Sequence, residues 1–309
     1  MKATVLVNRE SGLSDADERR LEGEVRAAFE AVGVDADVRL VLGESLADEA
    51  RAALARRVDV VVAAGGDGTM NAIASVLAGR DTPMGILPRG TLNHFAKDLG
   101  IPLDLASAAR VIAEGRIVAV DVGRVDDRIF LNNSSLGVYA RALVQRDAQR
   151  RRFGMKKWTA MALAVLKTFR RSPMLQVRLV TGEQSNVRKA PLVFIGNNHY
   201  QLDLFNVGRR ARLDQGKLSL YVVNTATRWR FIKLVFRAAV GRLRQSRDFD
   251  QESVTELRIE TRRSRLHVAL DGEITRLKPP LEYRIWPAAL RVIVPTAPDA
   301  SPTSSTESL

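Results

Sequence analysis

Two glycine-rich turns, each fed by an apolar run, are where this sequence could do chemistry. Val58 to Ala64 is apolar except at Asp59, as suits a strand buried on both faces, and it empties into Gly65-Gly66-Asp67-Gly68-Thr69 ahead of the helix-like Ala72 to Leu77. A strand, a tight glycine turn and a helix start, in that order, can cradle a phosphate. Glycines let the backbone approach an anion, and the first amides of the helix point at it with the positive end of the dipole. Asp67 stands at the centre of the turn, where a carboxylate beside bound phosphates calls for a divalent cation between them. The plainer reading is a glycine loop with an Asp cap. A second apolar run, Pro83 to Leu87, ends at Pro88-Arg89-Gly90-Thr91-Leu92-Asn93, so a second glycine turn falls at a strand end.

Positioning these turns requires a sheet. Ala3 to Asn8 reads as a strand followed by a loop through Ser11 and Gly12, and Ala36 to Leu42 reads as another. Asp15 to Val32 reads as a helix with Leu21, Val25, Ala28, Phe29 and Val32 at helical spacing, closed by Gly33. Ser45 to Arg57 reads as a second helix capped by Ser45, and Thr91 to Leu99 as a third. Strands alternating with helices every 25 residues or so predict parallel βαβ units, whose ligands sit at the carboxyl ends of the strands. The pattern then changes to half-buried strands at Ile129–Asn132, Leu175–Val180, Leu192–Asn197, Leu218–Val223, Glu256–Glu260, Leu266–Leu270, Leu281–Trp286 and Leu290–Val294.

These runs predict an α/β nucleotide-binding domain over residues 1–125 and a largely antiparallel β-rich acceptor domain over 126–287. A strand around 288–296 is a candidate to pack back on the first domain, and 297–309, rich in Ser, Thr and Pro, reads as a disordered tail.

Composition narrows the function. With 309 residues, 46% of them hydrophobic, the chain can bury a core for two domains, and no cysteine means no disulfide, thiolate metal site or cysteine nucleophile. Three histidines make a multi-histidine metal centre a poor reading. Neither a signal peptide nor a transmembrane helix is expected, which fits a cytoplasmic protein. A net charge of +13 favours polyanions. It concentrates in 141–157 and in 228–247, where Trp229, Ile232, Phe236, Val240 and Leu243 follow helical spacing. That pattern suits peripheral docking on an anionic membrane surface, the alternative being a solvated helix packed on its own domain. Nucleic acid is disfavoured by the absence of a recognisable motif and by only 6% aromatic residues.

The two glycine motifs, Gly65 to Asn71 and Pro88 to Gly100, together with Asp271-Gly272-Glu273 near the C-terminus, resemble the bacterial diacylglycerol kinase-type lipid kinases. That family includes sphingosine and ceramide kinases and is related to NAD kinases and phosphofructokinases. The resemblance covers nearly the whole chain. It implies ATP bound between an NAD kinase-like α/β domain and a β-sandwich, with Mg²⁺, and transfer of the γ-phosphoryl group to a lipid hydroxyl such as that of diacylglycerol or a sphingoid lipid.

Asn8, Ser11, Gly12, Gly65, Gly66, Asp67, Gly68, Thr69, Asn71, Gly90, Thr91 and Asn93 would contact the nucleotide, and Asp271 would act as base with Glu273 sharing or supporting the role. Asp67, Asp121 and Asp214 are the metal candidates, and a homodimer is a family expectation. The plainer reading of Asp271-Gly272 is a hairpin turn. Three positions depart from the family pattern: His94 replaces an Asp, the segment Arg39 to Gly43 lacks a Thr that contacts ATP, and Gln215 stands before Gly216 where an Asp usually binds a structural Mg²⁺. Gly196-Asn197-Asn198-His199-Tyr200 resembles the family's turn on the acceptor side, readable as cleft wall or as a structural turn. The alternatives to a lipid kinase are an NAD kinase and a catalytically weak lipid- or polyanion-binding protein on the same scaffold.

Overall fold

The computed structural model describes residues 1–9, 14–137, 175–182, 184–199, 212–223 and 249–296. Ser11, Gly12, the basic stretches at 141–157 and 228–247, and the tail at 297–309 lie outside the described residues. The chain divides into two compact units: Met1–Val118 joined by the chain from Arg291, and Ala119–Leu290.

The first unit is a parallel sheet with helices. Its strands are β1 (Lys2–Arg9), β2 (Asp35–Leu42), β3 (Val60–Gly65) and β4 (Met84–Pro88), in the order β2-β1-β3-β4. All three pairings are parallel. Strand β3 starts only after Asp59, whose exposed carboxylate accepts the Lys2 amide, and it is buried along its full length. The chain from Arg291 returns to this sheet, with Val292 opposite Met84 in parallel register.

The helices are α1 (Asp15–Glu30), α2 (Leu46–Ala55), α3 (Asp67–Leu77), α4 (His94–Asp98) and α5 (Leu105–Glu114). Helix α1 is capped by Ser14, whose side chain accepts the Asp17 amide, and it buries Leu21, Val25 and Phe29 at four-residue spacing. It stops at Glu30, short of the expected Val32, because the chain turns through Gly33 at φ 69° and the Val34 amide bonds back to Phe29. Ser45 makes no capping bond; it ends a short 3₁₀ turn, Gly43–Ser45. The helix expected from Thr91 forms only at His94, because Asn93 is left-handed and its side chain is bonded to Gly90. Helix α5, unforeseen from the sequence, is capped by Asp104 and buries Ala108, Ala109 and Ile112.

The second unit is an antiparallel β-sandwich. Its strands are β5 (Arg116–Val125, which begins in the first unit), β6 (Arg128–Phe130), β7 (Asn133–Gly137), β8 (Leu175–Thr181), β9 (Gln184–Ala190), β10 (Leu192–Asn197), β11 (Leu218–Val223), β12 (Phe249–Val254), β13 (Glu256–Glu260), β14 (Leu266–Leu270), β15 (Glu273–Leu277) and β16 (Leu281–Val294). One sheet runs β12-β11-β10-β7-β14-β15, with every pairing antiparallel. The first part of β16 pairs antiparallel with β13, which pairs with β8 and then β9.

Phe130, Leu136, Val193, Ile195, Leu220, Ile259, Val268 and Tyr283 belong to one apolar core. Tyr283 is fully buried, its hydroxyl 3.0 Å from Ser134 Oγ, and burial pushes its phenol well above the usual range. The two strands expected at 281–286 and 290–294 are one, interrupted at Ala288 by a left-handed φ of 51°. The strand expected at Ile129–Asn132 is Arg128–Phe130, because the chain bends at 131–132 before β7, and strands β5, β7, β9, β12 and β15 were not foreseen; β9, Gln-Ser-Asn-Val-Arg-Lys-Ala, has no apolar alternation to read.

Candidate functional site

The turn after β3 is built by close approach. A Cβ on Gly90 would lie 2.5 Å from the Gly66 Cα and 2.7 Å from Asn93 Oδ1, so the two glycine turns meet backbone to backbone. A Cβ on Gly65 would collide with the Thr69 side chain. Asn8, at the end of β1, donates from Nδ2 to Thr69 Oγ1 at 2.9 Å, tying a third strand end to the same place. Gly68 and Thr69 are helical, since α3 begins at Asp67, and Asn71 lies in the same helix. The leading amides of α3 have no partner within their own helix, an arrangement suited to phosphate oxygens. Beside them, Asn8, Asp17, Arg20, Leu21, Glu24, Gly65, Gly66, Arg89 and Gly90 line an open hollow of about 570 Å³.

Asp67 performs the structural task of the plainer reading. One carboxylate oxygen accepts the His94 amide at 3.2 Å and the other accepts the Phe95 amide at 3.2 Å, so Asp67 holds the start of α4 against α3. Each oxygen keeps a lone pair. That leaves a single protein carboxylate for a cation whose other ligands are phosphates and waters, a ligand set that suits Mg²⁺. Asn93 is almost fully buried and closes the second turn on itself, with Oδ1 accepting the Gly90 amide at 2.9 Å and Nδ2 donating to the Gly90 carbonyl at 2.8 Å. Thr91, in that turn, is exposed.

In the second unit the carboxylates at 271 and 273 straddle a hairpin. Asp271 and Gly272, at φ 48° and 86°, form the two-residue connection between β14 and β15, with Leu270 opposite Glu273. The Asp271 carboxylate accepts three main-chain amides: Leu131 at 2.8 Å on Oδ2, and Asn132 at 2.8 Å and Asn133 at 3.0 Å on Oδ1. The Asp271 amide in turn donates to the Asn133 carbonyl at 2.9 Å. Glu273, first in β15, has its carboxyl pushed up, chiefly by desolvation and secondly by the negative charge of Asp271. One carboxylate is pinned and its neighbour is made more basic.

The strap at 131–133 is itself held. Asn197, fully buried, donates from Nδ2 to the Leu131 carbonyl at 2.9 Å and to the Asp121 carbonyl at 2.8 Å, while its amide donates to the Asn132 carbonyl. Asn197 and Asn198 are therefore a structural turn and not an open wall. Reading side chains missed this strap because its donors are main-chain amides.

Of the metal candidates in the second unit, Asp121 and Asp214 lie at the same loop, with the Asp121 amide bonded to the Leu213 carbonyl at 2.7 Å. Asp121, 3% exposed, accepts the Gly216 amide on Oδ2 at 2.6 Å and the Ala288 amide on Oδ1 at 2.8 Å. Asp214 is exposed and paired with Arg212, whose guanidinium lowers its pKa. Among the described residues no three His, Cys, Asp or Glu side chains converge as a metal cluster.

Known proteins resemble this chain in sequence and in fold. Residues 2–125 match the diacylglycerol kinase catalytic domain, and residues 132–294 match the YegS C-terminal NAD kinase beta sandwich-like domain. The chain is 28% identical over 190 residues to a diacylglycerol kinase of Staphylococcus saprophyticus, covering 60% of each chain. It is 30% identical over 180 residues to a diacylglycerol kinase of Staphylococcus aureus, covering 57% of this chain and 56% of that one. Both matches thus span less than two thirds of the relative's length. A crystal structure of a diacylglycerol kinase from Bacillus anthracis shares the fold, with a TM-score of 0.65 at 21% identity over 96% of this chain and 97% of that one. A catalytic-domain match on the glycine turns, followed by a sandwich match over more than half of the chain, leaves one assignment: the protein belongs to the bacterial diacylglycerol kinase-type lipid kinase family.

Proposed function

We propose that the chain is an ATP- and Mg²⁺-dependent lipid kinase that transfers the γ-phosphoryl group to the hydroxyl of a lipid such as diacylglycerol or a sphingoid lipid. The observation that carries this reading is the Asp271 carboxylate, fixed by the amides of Leu131, Asn132 and Asn133 beside a second carboxyl pushed up by partial desolvation and by the charge of Asp271. Phosphoryl transfer asks for positioning, charge neutralisation and a base to take the hydroxyl proton.

In this reading the turns at Gly65–Thr69 and Gly90–Asn93, with Asn8, Ser11, Gly12 and Asn71, hold the triphosphate. Asp67 supplies the carboxylate for Mg²⁺, which when bound offsets charge on the phosphate oxygens. Asp271 accepts the proton as the lipid oxygen bonds to the γ-phosphorus and the bond to the bridging oxygen breaks, leaving ADP and a phosphorylated lipid. Glu273 supports the base by sharing the proton.

An acceptor buried in a bilayer requires docking. The cationic stretches at 141–157 and 228–247 supply a reason for peripheral association with an anionic surface. Among the described residues no helix is long and apolar enough to cross a membrane.

The test is transfer of label from γ-labelled ATP into lipid alcohols in mixed micelles, with NAD⁺ as a parallel acceptor and Mg²⁺ present or chelated. Labelled lipid that disappears on chelation is the expected result. Label in NADP⁺ alone, or no label anywhere, overturns the proposal.

A further inference from the structure

The loop at 212–217 is where the family resemblance implies a structural Mg²⁺, and the side chains there do not fit one. A divalent cation needs anionic or carbonyl oxygens turned toward a common point. Asp121, 3% exposed, has an amide on each carboxylate oxygen, from Gly216 and Ala288; as at Asp67 a lone pair remains on each, so what decides is whether a second oxygen donor turns toward it. Asp214 faces the Arg212 guanidinium with both oxygens, at 2.9 and 3.1 Å, in an exposed ion pair that a metal would have to displace. Gln215, neutral where an Asp is usual, is the third potential ligand and is committed elsewhere. Its Oε1 accepts the His199 amide at 3.3 Å, and its own amide donates to Asn198 Oδ1 at 2.9 Å.

What joins the loop to the sandwich is a set of direct hydrogen bonds. The Leu213 carbonyl accepts the Asp121 amide at 2.7 Å, and the Lys217 carbonyl accepts the Asn198 amide at 2.9 Å. With the Gly216 bond to Asp121 and the two made by Gln215, the loop is clasped at every residue from 213 to 217 except Asp214. The clasp is continuous with the catalytic turn: Asp121 and Asn197 share a bond, Asn197 holds the 131–133 strap, and the strap holds Asp271. Asn197 and Asn198 are fully buried and Asp121 is 3% exposed, so water competes poorly for the bonds these three make, whereas the Gln215 Oε1 bond to the His199 amide is exposed.

We propose that this clasp replaces the structural divalent cation, with Gln215 in the place of its ligand, so that the second unit is held in its working shape without bound metal. A carboxamide suits the task because it accepts the His199 amide without adding a charge that a metal must balance, next to Arg212 and Lys217.

The experiment is thermal unfolding of the nucleotide-free full chain in excess chelator and in millimolar Mg²⁺, at matched ionic strength. It reads stability, so its outcome is independent of whether the lipid kinase reading holds. The expected result is the same Tm in both media. A fall of several degrees on chelation, restored by Mg²⁺, overturns the proposal. A Gln215→Asp protein is expected to lose about 2–4 °C in chelator, the effect of one weakened hydrogen bond in a domain of this size, and to recover on Mg²⁺ addition. If that variant has the wild-type Tm in both media, the role given to Gln215 is wrong.

Discussion

Asp271 carries two burdens at the scale of a single residue, and they can be separated. Its carboxylate accepts three amides, and a hairpin connection holds its backbone left-handed. Asp271→Asn removes the proposed base, and an expected loss of about 10²–10⁴-fold in phosphoryl transfer follows the usual worth of general base catalysis. Nucleotide binding, followed by titration with a fluorescent ATP analogue, should change little because the glycine turns proposed to hold the triphosphate belong to the other unit. The amide NH₂ also faces main-chain donors, so unfolding should report a loss of about 1–3 kcal/mol, which serves as the folding control. Near wild-type turnover would remove Asp271 as the base.

Glu273 gives a pH signature with a definite sign. A carboxyl pushed up in the native state holds its proton where the unfolded chain has already released it, so its contribution to stability falls as pH rises from the ordinary carboxylate value to the raised one. Glu273→Gln removes that penalty. Its Tm should exceed that of the wild type above this window and converge with it below about pH 4. Transfer activity should fall at the same time if Glu273 supports the base, and parallel melts and assays across pH separate the two effects.

Among the elements, the two glycine turns make the sharpest contrast. Gly90→Ala drives a methyl to 2.5 Å from the Gly66 Cα, which main chain cannot yield cheaply, so a loss of about 1–3 kcal/mol is expected in denaturant unfolding. Gly66→Ala meets the Gly90 Cα at 3.3 Å and should cost less than Gly90→Ala. Equal losses would mean that the turns do not rest on each other. The second turn also explains why α4 starts late: the Asn93 side chain closes the turn on Gly90, and only then can the helix begin.

For the whole molecule, the net charge of +13 predicts a salt-dependent partition. In co-sedimentation the chain should bind vesicles containing anionic lipid, at about 1 kcal/mol per cation near the surface, and release as salt shortens the screening length. Equal binding to zwitterionic vesicles, or binding indifferent to salt, would defeat the electrostatic part of the proposal.

Local patterning determined a great deal by itself. Apolar runs ending in glycines predicted β3, β4 and their turns, and four-residue spacing predicted α1, because a strand buried on both faces and an amphipathic helix each write their period into the chain. Motif resemblance supplied the roles proposed for Asp67, Asp271 and Glu273. Only tertiary structure decided which bonds those carboxylates make. Asp67 holds the start of α4, Asp121 ties Gly216 to Ala288, and Asp271 gathers amides from residues about 140 positions away in sequence. Their partners are main-chain amides, which every residue but proline carries. No side-chain pattern can announce such a bond; it exists only once the fold has brought the two segments together.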